Sequence, residues 1–196
     1  MADQRCLAEA ESRVRSCYDE PHRHYHGVDH LDDCLAILRT LTDIDEREEQ
    51  ILRWAILWHD AIYDPRRRDN ENRSGELAFQ ELTRCGVGKS EAQDVRRLIL
   101  LTENHRVGEG DHLGALLVSI DLSVLGADPD RYRDYAEGVR REYAHIPDDA
   151  WRAGRSAVLE KLLDSNPLYP DVRFRAALET RARRNLTDEL NRLSAS

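Results

Sequence analysis

The stretch WAILWHDAIY, residues 54–63, is apolar or aromatic at every position except His59 and Asp60. It shows none of the two-residue alternation of a half-buried strand, and it reads as the buried part of a helix spanning about residues 47–63. Burying an unpaired carboxylate costs far more than a helix recovers from local contacts. Asp60 must therefore be neutralised, paired with a cation or bound to a metal.

Outward from this segment the same helical spacing of apolar residues recurs almost everywhere, and β-branched runs of period two are missing. The expectation is an all-α fold. Helices are predicted near residues 3–19, 28–43, 47–63, 70–85, 89–105, 112–125, 129–144, 148–164 and 171–193. Breaks are signalled by Pro21 and Gly27, Pro65, Gly86 and Gly88, the RVGEGD segment, Pro147, Pro167 and Pro170. Asp128 before Pro129 has the form of an N-cap followed by proline in the first helical position. With 196 residues and no repeat or long linker, a single helical-bundle domain is expected over 1–196. Its metal-binding core would span about 23–125 and its covering helices about 129–193. Trp54, Trp58, Trp151, Val158, Leu159, Leu162 and Leu163 are assigned to core packing.

Lys and Arg number 29 against 38 Asp and Glu, a net charge of -9 that opposes duplex nucleic-acid binding. No segment approaches the roughly 18 consecutive apolar residues of a membrane span, and MADQRCLAEAESRVR lacks the apolar stretch of a secretory signal. A cytoplasmic location is expected, without membrane association; self-association is left open. Cys6, Cys17, Cys34 and Cys85 form no CxxC pair and are read as reduced core thiols.

Asp121 is the only charge in LGALLVSIDLSVLG, residues 113–126. Either each buried acid is satisfied separately by arginine or backbone donors, or one cation explains both. Histidines favour the cation. His30 opens HLDDCLAILRTL and shares a face with Cys34, Ile37 or Leu38, and Leu41, while His105 ends DVRRLILLTENH on the stripe of Val95, Leu98 and Thr102. Mixed imidazole and carboxylate donors suit a divalent transition metal (Mn, Fe, Co, Ni or Zn) better than calcium. Such an ion acidifies a coordinated water and offsets charge on phosphoryl oxygens.

The order His30, His59-Asp60, Asp121 on successive helices resembles the H…HD…D signature of the HD superfamily of metal-dependent phosphohydrolases. The likeness extends, over nearly the whole chain, to a bacterial subfamily of predicted HD phosphohydrolases through RHYHGVDHL, LWHDAIYDP, DNENRS, DLSVLG, VRREY, AGRSAVL and ARRNLTDEL. The resemblance implies a helical bundle with one or two central metals, acting on phosphomonoesters or nucleotides. The implied metal ligands are His30, His59, Asp60 and Asp121. Dinuclear members supply two further histidines between the HD pair and the last aspartate. Only His105 and His112 lie there, so one ion is the default, with His105 facing the phosphate or supporting a ligand, and a second ion the alternative.

The candidate catalytic groups are Asp60, Glu71 and His105. Glu71 follows the HD helix by one short loop; it is either a first-turn acid complementing the helix dipole behind an Asp69 cap, or a general acid. Asp64 is a weaker candidate for that task. Arg66, Arg67 and Arg68 are read mainly as a solvated run. Arg23, Tyr25 and His26, just before His30, are assigned to the mouth of the site, with His22 and His24 exposed. Arg140, Tyr143 and Arg155 are candidates for substrate phosphate, the alternative being surface ion pairs with Glu137 or Glu142. The expected activity is hydrolysis of a small phosphorylated, nucleotide-like metabolite. A di-iron oxygenase and a non-catalytic nucleotide-binding module are the alternatives.

Overall fold

In the computed structural model, which describes residues 2–195, the chain forms nine α-helices and one 3-10 helix, with no strand among the described residues. The all-α expectation holds. In chain order the helices are α1 Gln4–Cys17, α2 Val28–Leu38, α3 Glu46–Trp58, α4 Asn70–Arg84, α5 Lys89–Leu101 and α6 His112–Asp121. The 3-10 helix Leu122–Gly126 follows, then α7 Pro129–Glu142, α8 Asp148–Asp164 and α9 Val172–Ala195. The described residues divide into two compact units, one running to Val118 and one starting at Ser119, so the division falls inside the continuous helix α6.

The first unit is organised around α3, which packs against α1, α2, α4 and α5. Its start is set locally. The Asp45 carboxylate accepts from the Glu48 amide at 2.8 Å, and the Glu48 carboxylate accepts from the Asp45 amide at 3.0 Å. This reciprocal cap satisfies donors that the first helical turn leaves unpaired. Downstream, Leu52, Ala55, Ile56, Leu57 and Trp58 are all buried, so nearly every face of the helix meets another helix. α4 approaches α5 closely at Gly75, where an added Cβ would lie 3.2 Å from Arg96 Cγ.

Three predicted ends are corrected, the first being α2, which stops at Leu38 instead of running to residue 43. Instead of running to residue 63, α3 stops at Trp58, and the Ala61 amide turns back onto the Trp58 carbonyl at 3.1 Å. His59 is therefore the C-cap and Asp60 lies in the following turn. Likewise α5 ends at Leu101, and His105 sits beyond it with φ 57°. Its amide donates to the Leu101 carbonyl at 2.8 Å, which closes the helix through a left-handed residue. Histidine tolerates that conformation better than most side chains.

The thiol expectation is also corrected. Cys6 of α1 and Cys85, the C-cap of α4, form a disulfide that spans 79 residues of sequence, while Cys17 and Cys34 remain thiols. Helical spacing conceals such a pair because its partners are far apart in the chain. No described helix is long and apolar enough to cross a membrane.

In the second unit, α9 packs against the 3-10 helix and α8. Asn185 donates to the Leu125 and Ala127 carbonyls, both at 2.9 Å, and Arg181 donates to the Gly126 carbonyl, so α9 side chains satisfy the end of the 3-10 helix. Asp128 accepts from the Arg131 amide at 3.3 Å ahead of Pro129, the predicted cap.

A buried charge network ties three helices of this unit together. Arg155 Nε donates to Glu189 at 2.7 Å, Arg155 Nη2 donates to the same carboxylate at 3.1 Å, and the Tyr132 hydroxyl donates to it at 2.5 Å. The two charged side chains are only 6% and 8% exposed. The expectation that Arg155 binds substrate is therefore corrected, since its guanidinium neutralises a buried acid. On the same helix Leu159 is buried, whereas Val158, expected in the core, is 48% exposed and Trp151 is only partly covered. Arg155 and Leu159, one turn apart, define a buried stripe narrower than the apolar residues suggested.

Glu189→Ala is expected to cost about 3–5 kcal/mol by leaving Arg155 buried without its counter-charge, read as a lower urea midpoint; an unchanged midpoint would contradict the network. Loss of the disulfide in Cys6→Ser should cost about 2–4 kcal/mol through the freed unfolded chain. In that case wild-type protein should lose the same amount on addition of reductant, and insensitivity to reductant would show that the bond carries no stability.

Candidate metal centre

His30 is the third residue of α2, on its buried face with Leu31, Cys34, Leu35 and Leu38, and is 4% exposed. His59, at the end of α3, is 3% exposed. Its Nδ1 lies 2.8 Å from the Ile56 carbonyl oxygen. A carbonyl only accepts, so Nδ1 carries a proton and Nε2 is the nitrogen turned toward the neighbouring groups.

That Nε2 faces two other electron-rich atoms. His30 Nε2 lies 3.1 Å away and Asp60 Oδ2 also 3.1 Å, with His30 Nε2 3.9 Å from Asp60 Oδ2. Asp121 closes α6, is partly buried, and completes a group with His30 and His59 whose ligand atoms all lie within 4.8 Å of one another. Imidazole nitrogens and a carboxylate approach this closely only where a proton or a cation lies among them. Burial alone would raise the Asp60 carboxyl. The charge and hydrogen bond of His59, with the charges of His26 and His30 behind them, hold it well below the usual carboxylate range. His30, His59 and Asp121 form a group that could hold a metal ion.

Asp60 owes its position to a turn without regular backbone pairing, held by side chains. The Asp60 amide donates to the Tyr18 hydroxyl at 3.2 Å. Arg23 donates to the Asp60 carbonyl at 2.6 Å and to the Ala61 carbonyl at 3.2 Å. Ser74 accepts from the Ile62 amide at 3.0 Å, and its hydroxyl donates to the Ile62 carbonyl at 3.3 Å. His22 bonds the Tyr63 carbonyl at 2.9 Å, and Asn70 accepts from the Asp64 amide at 3.2 Å and donates to the Asp64 carbonyl at 2.9 Å. The sequence reading missed Tyr18, Asn70 and Ser74 in this role. A signal existed, because Asn70 and Ser74 are small polar residues on the stripe that continues to Ala78 and Leu82.

Tyr25 and His26 lie beside His30. The Tyr25 ring is 4.8 Å from the rings of both His26 and His30, and His26 stacks on Tyr63 at 4.4 Å. Arg23 does not line the mouth, since its side chain is fully enclosed. Glu71, in the first turn of α4, is partly buried. Burial pushes its carboxyl up, the charges of Asp60 and Glu103 add to that, and His105 opposes it, which places Glu71 within electrostatic reach of Asp60 and His105. His112 and His24 are exposed.

Other expectations are corrected. Asp69 makes no capping bond and instead holds Arg67 through two contacts of 2.7 Å. Asp64 caps a local turn, accepting from the Arg66 amide at 2.9 Å. Arg140 is committed to the Tyr143 carbonyl at 2.8 Å, the Ile146 carbonyl at 3.3 Å and Asp148 at 2.7 Å, not to Glu137 or Glu142. Its guanidinium also lies 5.2 Å above the Trp151 ring, against which Tyr143 packs at 5.6 Å. Both residues thereby brace the α7–α8 connection and present no ready phosphate site.

Compared with known proteins, the chain matches no family model, no curated protein and no solved structure.

Proposed function

We propose that the chain is a metal-dependent phosphohydrolase of the HD type, acting on a small phosphorylated, nucleotide-like metabolite. The observation that carries this reading is the mutual approach of His30 Nε2, His59 Nε2 and Asp60 Oδ2, at 3.1 to 3.9 Å. His30, His59, Asp60 and Asp121 would hold the ion. When bound, it supplies Lewis acidity toward a phosphoryl oxygen and brings a water's pKa near neutrality.

The chain's own groups account for the rest of the chemistry. The Ile56 carbonyl keeps the His59 proton on Nδ1 and so commits Nε2 to the ligand role. Glu71, its carboxyl pushed up by burial, retains a proton to higher pH than an exposed glutamate and is suited to protonate a leaving oxygen. Tyr25, His26 and Tyr63 form an aromatic flank beside His30 against which an apolar or aromatic part of a substrate could lie.

Against a panel of mononucleotides, dinucleotides, cyclic nucleotides and sugar phosphates with Mn, Co, Ni, Zn or Fe(II), wild-type protein should release phosphate or a nucleotide product. Asp60→Ala should abolish turnover and metal retention together; full activity in that variant after demetallation would reject the proposal. Glu71→Gln should retain metal yet lose about 10²–10⁴ in kcat. Because the protonated acid is the active form, wild-type kcat should fall as pH rises through the raised Glu71 pKa, and Glu71→Gln should lack that alkaline limb.

A further inference from the structure

Arg23 spends every donor it has on the surroundings of the HD pair. Its Nε and Nη2 reach the Glu20 carboxylate, each at 2.9 Å. Its Nη1 donates to the His26 carbonyl at 3.2 Å and the Asp60 carbonyl at 2.6 Å, and Nη2 donates to the Ala61 carbonyl at 3.2 Å. The five N–H groups of the guanidinium thus face four acceptors, one Glu20 oxygen meeting two of the nitrogens. The cation lies 5.1 Å from the Tyr18 ring centroid and 5.5 Å from that of Tyr63, inside the range of a favourable cation–π contact.

From these contacts we infer that Arg23 is a positioning residue for the metal ligands, fixing the spacing between His30 and the His59-Asp60 pair; this rests on the metal-centre reading above. Its Nη1 bridges the His26 carbonyl, on the loop that leads into α2 and His30, and the Asp60 carbonyl. Its Nη2 adds the Ala61 carbonyl, the second of the two that follow His59. The Asp60 carbonyl and carboxylate are attached to the same Cα, so clamping the first, with Tyr18 clamping the amide, restricts where the second can point. No ion pair to Asp60 is involved, and the guanidinium acts through backbone. Such a role requires the planar fork. A lysine ammonium retains the charge between the two rings but cannot span carbonyls on two separate segments.

The test is cobalt(II) affinity, measured by competition with a chromophoric chelator, together with the visible spectrum of the cobalt-loaded protein, for wild type, Arg23→Lys and Arg23→Gln. Both variants are expected to keep the helical circular-dichroism signal, to bind cobalt about 10–100-fold more weakly, as outer-shell losses do, and to show altered ligand-field bands. Arg23→Lys should be the less affected of the two. Folded variants with wild-type affinity and spectrum would overturn the inference. So would loss of the fold in both, because Arg23 would then be holding helices and not ligands. A wild-type protein that takes up no cobalt would instead overturn the metal reading itself, which distinguishes the two failures.

Discussion

Two imidazole nitrogens and a carboxylate oxygen face one another in the interior at 3.1 to 3.9 Å, and much of the first unit serves to keep them there. With neither a proton nor a cation among them such groups would separate, because lone pairs alone offer one another no attraction in a poorly hydrated site. The fold opposes that separation. The apolar surroundings of Trp58 and Ile56 fix the end of α3, the Ile56 carbonyl orients the His59 ring, and the face shared with Leu31, Cys34 and Leu35 turns His30 inward. A cation bound among these atoms would hold the cluster together. Binding energy and folding energy are then partly the same quantity.

Asp60 stands where the α-helix ends, and that placement matters chemically. Within a continuous helix its carbonyl would be occupied four residues on. Here Tyr18, His22, Arg23, Asn70 and Ser74 take over the backbone groups of residues 60–64, drawing on α1's C-terminal end, the loop before α2, and α4. Irregular backbone held from several directions is a common way for a protein to place a functional group rigidly away from a regular element. The second unit has a comparable internal anchor of its own in the Arg155, Glu189 and Tyr132 network.

Much of the fold was legible from spacing alone. The α-helices of the described residues begin within about one residue of where periodicity places them, and Asp128-Pro129 marks the start of α7 as expected. The oddity of Asp121 in an apolar run, with the inward His30 and His59, also pointed to the group that the structure brings together. The early end of α3 was not visible, because apolar residues continue through Ala61 and Ile62 and only tertiary side-chain partners reveal that the backbone has left the helix. Arg23, Arg140 and Arg155 were misread for a related reason. An arginine has the same appearance in sequence whether it serves a phosphate, a carboxylate or a set of backbone carbonyls, and its partners here are 37 residues away for the Asp60 carbonyl and 34 away for Glu189. The Cys6–Cys85 bond joins residues whose helical surroundings carry no mark of pairing.

The most direct measurement is anomalous diffraction from crystals grown with manganese or cobalt, recorded on either side of the metal absorption edge. The account predicts a single strong peak within coordination distance of His30 Nε2, His59 Nε2 and an Asp60 carboxylate oxygen. A saturating metal concentration that leaves this position empty, with the two rings and the carboxylate linked only by protons, would contradict it.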